Sequence, residues 1–425
     1  MSARRATPPG WTSQIGWTSQ TTAVVGLALL VFVACCLAGP GGLLTTWHAA
    51  DVSYYGQLGA KLTAGSVPYR HLYVEYPPGA LPVFMAPSVD QGNYVELFKV
   101  LMTVLGCAAI VATAVTATAV GRSVGWLAVA VAPLAVAPVL LGSVFLNRFD
   151  PWPMFLTAVA LAVLLRGRPA AGSVGFALSV VTKIYALAAL PVVAVYIAQT
   201  AGRAVLKRAA VAFAAVVALV MVPFALVGPG GLAFSFYVQV TRHLEIESLA
   251  GSVLLVADRL GLYDARIVDG TPGSRDLAGA LPTSVGIVSA IVEVAAIAAV
   301  SWWFAKGSSG PRRFAAAFAA ALVGYVAFGK VLSPQYLVWL VPVVPLVRGR
   351  VGLAATALLV AALGLTHLEF SAWNSINRVG PAVWVLLARN LVLVGAYVLL
   401  AWSIRRGSRA DGDGVAFDAC ADAVG

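Results

Sequence analysis

Residues 21–38 read TTAVVGLALLVFVACCLA, an apolar run with no charged side chain. A helix of about 20 apolar residues is long enough to cross the hydrocarbon core of a bilayer. The same character extends along the whole chain of 425 residues, of which 60% are hydrophobic and 11% charged, with a mean hydropathy of +0.89. Soluble domains carry about 25% charged residues. The composition therefore excludes an ordinary soluble enzyme and predicts an all-α, polytopic membrane protein.

Further apolar runs, separated by charged or Gly/Pro-rich breaks, predict about twelve transmembrane helices. The predicted spans are Thr21–Ala38, Val95–Val120, Val124–Leu141, Pro151–Leu165, a kinked pair within Ala170–Gln199, Ala209–Val227, Ser284–Phe304, Phe314–Phe328, Tyr336–Val347, Val351–Thr366 and Val383–Trp402. The kinked pair has basic residues at both ends, which the positive-inside rule places in the cytoplasm. The chain must therefore turn back near Lys183, and the same argument predicts a second turn near Lys330.

The charge distribution predicts the topology and the domain organisation. Residues 1–20 form a cytoplasmic segment, 21–404 the transmembrane domain, and 405–425 a cytoplasmic tail that we expect to be disordered. The basic residues behind the net charge of +11 cluster in the predicted cytoplasmic loops, so nucleic acid is not an expected partner, whereas membrane lipids are. All histidines and most acidic residues lie on the predicted outer face or at its rim, and two outer loops, 39–93 and 228–283, are long. We therefore expect the active site on the outer face of the plasma membrane.

Asp51 opens a short amphipathic helix in the first outer loop. Val52, Tyr55, Leu58 and Leu62 follow at helical spacing, which is typical of a helix that lies in the membrane interface. Aspartate is a favoured N-cap residue, so the only role of the carboxylate could be to cap the helix. A carboxylate at the membrane surface could equally act as a general base. The spacing leaves both interpretations open.

Other polar residues are placed where chemistry is expected. Tyr69 to Gly79 form a rigid, aromatic and acidic stretch that suits either the membrane interface or a sugar. Arg148 and Asp150 could form a local pair that caps a turn. Lys183 and Lys330 lie so close to apolar segments that each must snorkel or bind an anion. Buried charges in the spans, at Lys99, Glu293 and Arg389, could pair with one another. Neither a nucleotide-binding motif nor metal-ligand spacing is found, so we expect no cofactor and no metal.

Several short motifs together resemble glycosyltransferase family 87. The motifs are Asp51 after the first span, Gly65-Ser66-Val67-Pro68-Tyr69, Glu75-Tyr76-Pro77-Pro78, Arg148-Phe149-Asp150, Thr182-Lys183-Ile184-Tyr185, Arg242 with Glu245-Ile246-Glu247-Ser248, and Ser333-Pro334-Gln335-Tyr336 before Trp339. Each motif is short, but their order and their placement on the outer face make the set specific. The resemblance covers nearly the whole chain.

This resemblance implies a C-type glycosyltransferase architecture with an interfacial helix in the first outer loop. It also implies an inverting transfer of a hexose, with mannose expected, from a polyprenyl-phosphate sugar to a glycolipid or glycan acceptor. Asp51 would be the general base, and Lys183, Arg148 and Lys330 would bind the donor phosphate. The residues expected to bind sugar or acceptor are Tyr54, Glu75, Tyr76, Asp150, Arg242, Gln335, Tyr336 and His367. The alternative functions are a transporter or flippase for a lipid-linked sugar and a scaffold without catalysis.

Overall fold

The chain folds as a bundle of helices with one small sheet. The structure is a computed structural model that describes the backbone of residues 17–270 and 274–412. Side chains are described in the same ranges as far as Gly407. The helices are α1 (Ser19–Ala38), α2 (Ala50–Thr63), α3 (Leu81–Met85), α4 (Tyr94–Val120), α5 (Val124–Leu140), α6 (Pro151–Leu165), α7 (Pro169–Thr182), α8 (Leu190–Ala201), α9 (Arg203–Val227), α10 (Pro229–Thr241), α11 (Leu249–Arg259), α12 (Ala280–Ala305), α13 (Pro311–Phe328), α14 (Gly349–Ser371), α15 (Trp373–Ile376) and α16 (Val383–Gly412). The strands are β1 (Leu244–Glu245), β2 (Arg266–Asp269) and β3 (Arg275–Ala278). Six 3₁₀ segments complete the described elements: Pro78–Ala80, Ala86–Val89, Gly142–Val144, Ile184–Ala189, Pro334–Trp339 and Val344–Leu346.

The helices confirm a multi-pass, all-α membrane protein. Within the described ranges, 7 helical segments are long and apolar enough to cross a membrane. They are Ser19–Ala38, Tyr94–Val120, Ile184–Ala201, Arg203–Val227, Ala280–Ala305, Gly349–Ser371 and Val383–Gly407. Other apolar helices, such as Pro151–Leu165 and Pro169–Thr182, are shorter. The predicted number of twelve spans is therefore not confirmed, because several of the predicted segments are short helices or 3₁₀ turns.

The predicted kink near Lys183 is present and has a clear backbone origin. Helix α7 ends at Thr182, and Lys183 adopts an extended conformation with φ −158° and ψ 126°. The chain then continues as a 3₁₀ turn, Ile184–Ala189, into α8. The second predicted turn is also present, since α13 ends at Phe328 and the chain resumes in the 3₁₀ turn that begins at Pro334. Both breaks place a lysine outside regular helix.

The first outer loop contains the predicted amphipathic helix, α2, but Asp51 is not its N-cap. Ala49 is the capping residue, in an extended conformation and without a side-chain cap, and Asp51 already lies in the first helical turn. The capping interpretation of Asp51 is therefore wrong. The backbone N–H of Ala49 donates instead to the side-chain oxygen of Asn147, 3.2 Å away, which fixes the start of the helix from another segment.

The second outer loop folds into a small unit that the sequence analysis did not predict. Strands β1, β3 and β2 form an antiparallel sheet in that order, with Leu244 opposite Leu277 and Ile267 opposite the same residue. Helix α11 packs beside the sheet. Together they form a hydrophobic core separate from that of the membrane helices, which also includes Ile376 and Leu386. This outer unit thereby docks onto α15 and α16.

The buried charges of the spans do not pair with one another as proposed. Lys99 in α4 is buried, and its ammonium donates to the carbonyl oxygens of Gly42, Thr45 and Trp47 at 3.1, 3.0 and 2.8 Å. It therefore holds the chain that leads into α2. Arg389 in α16 contacts the carboxylate of Glu369 in α14 at 3.3 Å. The expected mutual pairing is therefore wrong for Lys99 and Arg389, because each finds a partner outside that set.

The predicted terminal segments are only partly described. Residues 1–16 and 413–425 lie outside the described residues. The predicted cytoplasmic tail from residue 405 begins inside α16, which continues as a helix to Gly412. The boundary between transmembrane domain and tail is therefore not a break in secondary structure.

Cysteine labelling tests the predicted orientation of the bundle. After replacement of the native cysteines, Gln57→Cys in α2 should react with a membrane-impermeant maleimide in intact cells, because Gln57 is exposed and the predicted topology places this loop outside the cell. Arg122→Cys, in the exposed turn between α4 and α5, is the matched control and should react only after lysis. Labelling of Arg122→Cys alone in intact cells would contradict the orientation.

Candidate active site

A cavity of about 790 Å³ lies where the ends of several helices meet the outer loops. It is lined by the start of α2, the loop before α3, the loops that follow α5 and α13, the helix break after α7, and the outer unit. Nine of the twelve residues expected at the site contribute to its wall. They are Asp51, Glu75, Tyr76, Arg148, Lys183, Arg242, Lys330, Gln335 and Tyr336. The fold thus brings together residues that are up to 285 positions apart, from 51 to 336.

Asp51 and Arg148 form an ion pair at the cavity wall. Their side chains are 26% and 14% exposed, so both reach the cavity. The neighbouring Asn147 positions this pair, because its amide oxygen accepts from Ala49 while its amide nitrogen donates to Gly41 and Ser143. The local pair expected between Arg148 and Asp150 is therefore wrong: Arg148 pairs with Asp51 across nearly a hundred residues of sequence.

Lys183 and Asp150 form a second ion pair, which is deeper. The ammonium lies 2.7 Å from the Asp150 carboxylate, which is 1% exposed and also accepts from the indole N–H of Trp339 at 2.8 Å. The ammonium lies over the rings of Phe149 and Trp339, 4.9 and 5.0 Å from their centroids. Burial lowers the pKa of Lys183, and the charge of Asp150 opposes that shift. The carboxylate of Asp150 and the aromatic rings around the ammonium thus stabilise its charged form.

Two further cations line the cavity. The guanidinium of Arg242 lies 3.1 Å from the carboxylate of Glu245, which is fully buried. The same carboxylate accepts a hydrogen bond from the hydroxyl of Ser333 at 3.4 Å. Lys330 donates to the carbonyl oxygen of Val240 at 2.8 Å. Among the cavity cations that the structure describes, Lys330 has no carboxylate within ion-pair distance. The charge of its ammonium is therefore less neutralised by carboxylates than the charges of Arg148, Lys183 and Arg242.

Aromatic side chains cluster around Tyr76, the residue that follows Glu75. The Tyr76 ring meets that of Phe149 edge-on with centroids 4.8 Å apart, and Tyr55 stacks on Phe84 at 4.7 Å. Burial raises the pKa of Glu75. A carboxyl group and aromatic rings in the wall of one cavity provide both a hydrogen-bonding edge and an apolar face, which is what a pyranose ring requires.

Three residues expected at the site do not line the cavity. Tyr54 is half-buried beside Tyr55, at 6.1 Å between ring centroids. His367 lies in α14 with its ring against Gly142. Asp150 lies directly behind Lys183 and Trp339 rather than at the surface of the cavity. It can act on a ligand only through these neighbours.

Sequence analysis also missed residues that line the cavity. Tyr325 and Trp373 come from a span and a loop without a recognisable motif, so no local signal marked them, and Glu293 was noted only as a charge within a span. Tyr55 was taken only as part of the apolar face of α2. Glu247 stood within the quoted motif 245–248 but received no role.

The Lys183–Asp150 pair predicts a specific pattern of stability. Lys183→Met should lower the free energy of unfolding by about 3 kcal/mol, because it leaves a buried carboxylate without its cation. The double variant Lys183→Met/Asp150→Asn should recover most of that loss, since the amide that replaces the Asp150 carboxylate carries no charge. Denaturant unfolding in detergent micelles measures both. Equal losses in the single and double variants would contradict the pair as a source of stability.

Comparison with known proteins places this chain in a family. The family model of glycosyltransferase family 87 matches residues 73–334, which is more than half of the chain. No curated protein sequence matches the chain. Two solved structures are similar in part. The crystal structure of ArnT from Cupriavidus metallidurans bound to undecaprenyl phosphate is 16% identical, with a TM-score of 0.48 over 92% of this chain and 79% of that one.

The second is the Archaeoglobus fulgidus oligosaccharyltransferase tethered with an acceptor peptide, which is 17% identical, with a TM-score of 0.46 over 91% of this chain. This chain spans 55% of that protein's length. The family match is the finding that decides the identity. On that match, the chain belongs to glycosyltransferase family 87 and is a multi-pass membrane glycosyltransferase.

Proposed function

We propose that the enzyme transfers a hexose, with mannose as the first candidate, from a polyprenyl-phosphate sugar to a glycolipid or glycan acceptor at the outer face of the plasma membrane. The donor class follows from the family resemblance set out above. One observation carries the proposal: an apolar groove of about 640 Å³ between the membrane helices borders the polar cavity and shares lining residues with it.

The groove has the character that an isoprenoid chain requires. It is lined mainly by apolar side chains of the helical stretch after Lys183 and of α12, among them Leu187, Pro191 and Ile297. It shares Ile184, Glu293 and Tyr325 with the cavity. A lipid tail in the groove would therefore end with its phosphate beside Lys183 and Lys330. This arrangement supports a lipid-linked donor that enters sideways from the bilayer.

In the proposed reaction Asp51 is the general base. The acceptor hydroxyl oxygen attacks the anomeric carbon, Asp51 takes the hydroxyl proton, and the bond between that carbon and the phosphate oxygen breaks. Attack from the side opposite the leaving group inverts the anomeric configuration. Polyprenyl phosphate leaves with one more negative charge than it had in the donor.

The cavity cations would stabilise that growing charge. Lys183 and Arg148 are already held by carboxylates, so they are pre-oriented but partly neutralised. Lys330 carries no such partner among the described residues and is the strongest candidate for direct contact with the phosphate. Fixed donors aimed at a leaving oxygen lower the barrier because they need no reorganisation during the reaction.

Asp51→Asn tests the general base. The amide keeps the shape of the side chain and its ability to accept from Arg148, but it has no useful basicity. We expect unchanged donor binding and sugar transfer slowed at least about a hundredfold, measured with labelled polyprenyl-phosphate mannose and membrane glycolipids. Asp90→Asn, an exposed aspartate of the same outer loop, is the matched control and should transfer normally. Turnover of Asp51→Asn within a few-fold of the parent would remove Asp51 from catalysis.

Lys330→Ala tests the phosphate site. Removal of the ammonium should weaken donor binding about tenfold while acceptor binding stays unchanged, because a charged hydrogen bond is lost. Lys61→Ala, an exposed lysine of α2 outside the cavity, is the control and should bind donor normally. Donor affinity equal in both variants would exclude Lys330 from the phosphate site. Movement of labelled donor across the membrane without transfer would instead favour a flippase.

A further inference from the structure

Glu293 is a cavity residue that the proposed reaction does not use. It lies in the middle of α12, a helix long and apolar enough to span the membrane, and it is half-buried. Its carboxylate has neither an ion-pair partner nor a hydrogen-bond donor among the described residues. Carboxylates within membrane spans are rare, and they mark the paths of substrates or ions. The position therefore points to a role toward a ligand.

Glu293 lies at the junction of the polar cavity and the apolar groove. Only three of the described residues line both spaces, namely Ile184, Glu293 and Tyr325. Four carboxylates line the described cavity, and Glu293 is the one among them that also lines the groove. A lipid that fills the groove with its tail and the cavity with its head must therefore pass this carboxylate.

The junction is bordered by both helix breaks. The Oε2 atom of Glu293 would lie 3.4 Å from a Cβ atom placed on Gly329, so the carboxylate lies beside the backbone of the break after α13. Lys330 is the next residue of that break. On the other side, Ile184 directly follows Lys183 in the break after α7. Glu293 is thus placed where the tail of a bound lipid ends and its phosphate begins.

The charges around the cavity leave little positive charge for a ligand. Four cations and four carboxylates line the described cavity. Three of these cations already pair with a carboxylate, and in two cases that carboxylate lies behind the lining. Lys330 alone among the described cavity cations has no carboxylate within ion-pair distance. The uncompensated positive charge is therefore a single unit, which matches a phosphodiester with one negative charge.

We propose that Glu293 selects the donor by the number of its phosphate groups. Its carboxylate admits a lipid-linked sugar phosphodiester, which carries one negative charge, and disfavours the corresponding diphosphate, which carries two. This inference rests on the proposed function for the lipid-phosphate nature of the donor. It goes beyond that function because it assigns the selection to one residue that takes no part in the transfer itself.

Coulomb repulsion explains why the carboxylate acts on one donor more than on the other. The repulsion between Glu293 and a ligand is proportional to the charge of the ligand, and it is stronger in a cavity among apolar helices than in water. A singly charged phosphate is compensated by Lys330. The second charge of a diphosphate has no further unpaired cation within the described cavity and adds to the repulsion. Glu293 therefore weakens the binding of a diphosphate more than that of a monophosphate.

Binding of short-chain lipids tests this selection without sugar transfer. Farnesyl phosphate and farnesyl diphosphate compete with labelled undecaprenyl phosphate for the purified full-length protein in detergent micelles. The measurement is made at about pH 8, where glutamate is ordinarily ionised. Each probe carries one charge more than the matching sugar diester, so the difference of about one charge between them is kept. We expect the wild type to bind farnesyl phosphate at least about tenfold more tightly than farnesyl diphosphate.

Three variants separate the charge of Glu293 from its shape. Glu293→Gln keeps the shape and removes the charge, so it should reduce the preference for farnesyl phosphate about tenfold. Glu293→Asp keeps the charge and should retain the preference within about threefold. Glu96→Gln, at an exposed glutamate of α4 outside the cavity, is the matched control and should bind both lipids as the wild type does.

Each contrary result counts against the proposal. An unchanged preference in Glu293→Gln, or a wild type that binds the diphosphate as tightly as the monophosphate, would overturn the selection. Equal loss of both lipids in Glu293→Gln would show that the side chain supports binding rather than selects. The same loss of preference in Glu293→Asp as in Glu293→Gln would assign the preference to shape. Failure of the proposed function is distinguishable, because undecaprenyl phosphate would then not bind the wild type at all, and this inference would fall with it.

Discussion

Charge compensation in an apolar surrounding governs how this active site is built. A lone charge next to membrane-spanning helices has a high desolvation free energy. A cation that contacts a carboxylate recovers part of that free energy through the ion pair. Arg148, Lys183 and Arg242 each meet that condition with an acidic partner. Two of these pairs join segments far apart in sequence. The ion pairs therefore neutralise the cavity and at the same time hold its wall segments in register.

Helix ends and helix breaks supply the backbone for these contacts. A continuous α-helix directs its side chains sideways into neighbouring helices or lipid, and its own backbone groups are satisfied internally. The extended backbone at Lys183 and the 3₁₀ turn that begins at Pro334 interrupt that pattern at the level of the cavity. Non-helical backbone at this depth is tolerated because it faces a polar cavity inside the protein. The helix breaks and the polar cavity therefore depend on each other.

The sequence predicted the parts of this arrangement that depend on local pattern. Apolar runs located the helices, basic clusters predicted the turn at Lys183, and amphipathic spacing predicted α2. Partners could not be predicted, because ion pairing depends on tertiary contacts: Arg148 selects Asp51 over its neighbour Asp150, and Lys99 binds backbone carbonyls. The outer sheet was missed because its strands are two to four residues long and lie within a segment without clear alternation. Glu247 was present in a quoted motif, but its backbone is held by Arg389 and Asn390 of α16, which no local pattern shows.

The ion-paired state of the cavity bears on how such an enzyme treats its two substrates. Cations whose charge is already compensated by carboxylates attract a neutral sugar no more strongly than they attract water. They bind a phosphate diester, which carries a single charge, only weakly. As the leaving phosphate gains its second charge, the fixed guanidinium and ammonium groups interact more strongly with it, without having to move. The interaction therefore grows along the reaction coordinate, which lowers the barrier rather than the ground state. A cavity whose cations were all unpaired would bind donor and released lipid phosphate tightly and would be slow to release the product, so partial neutralisation by Asp51, Asp150 and Glu245 favours turnover.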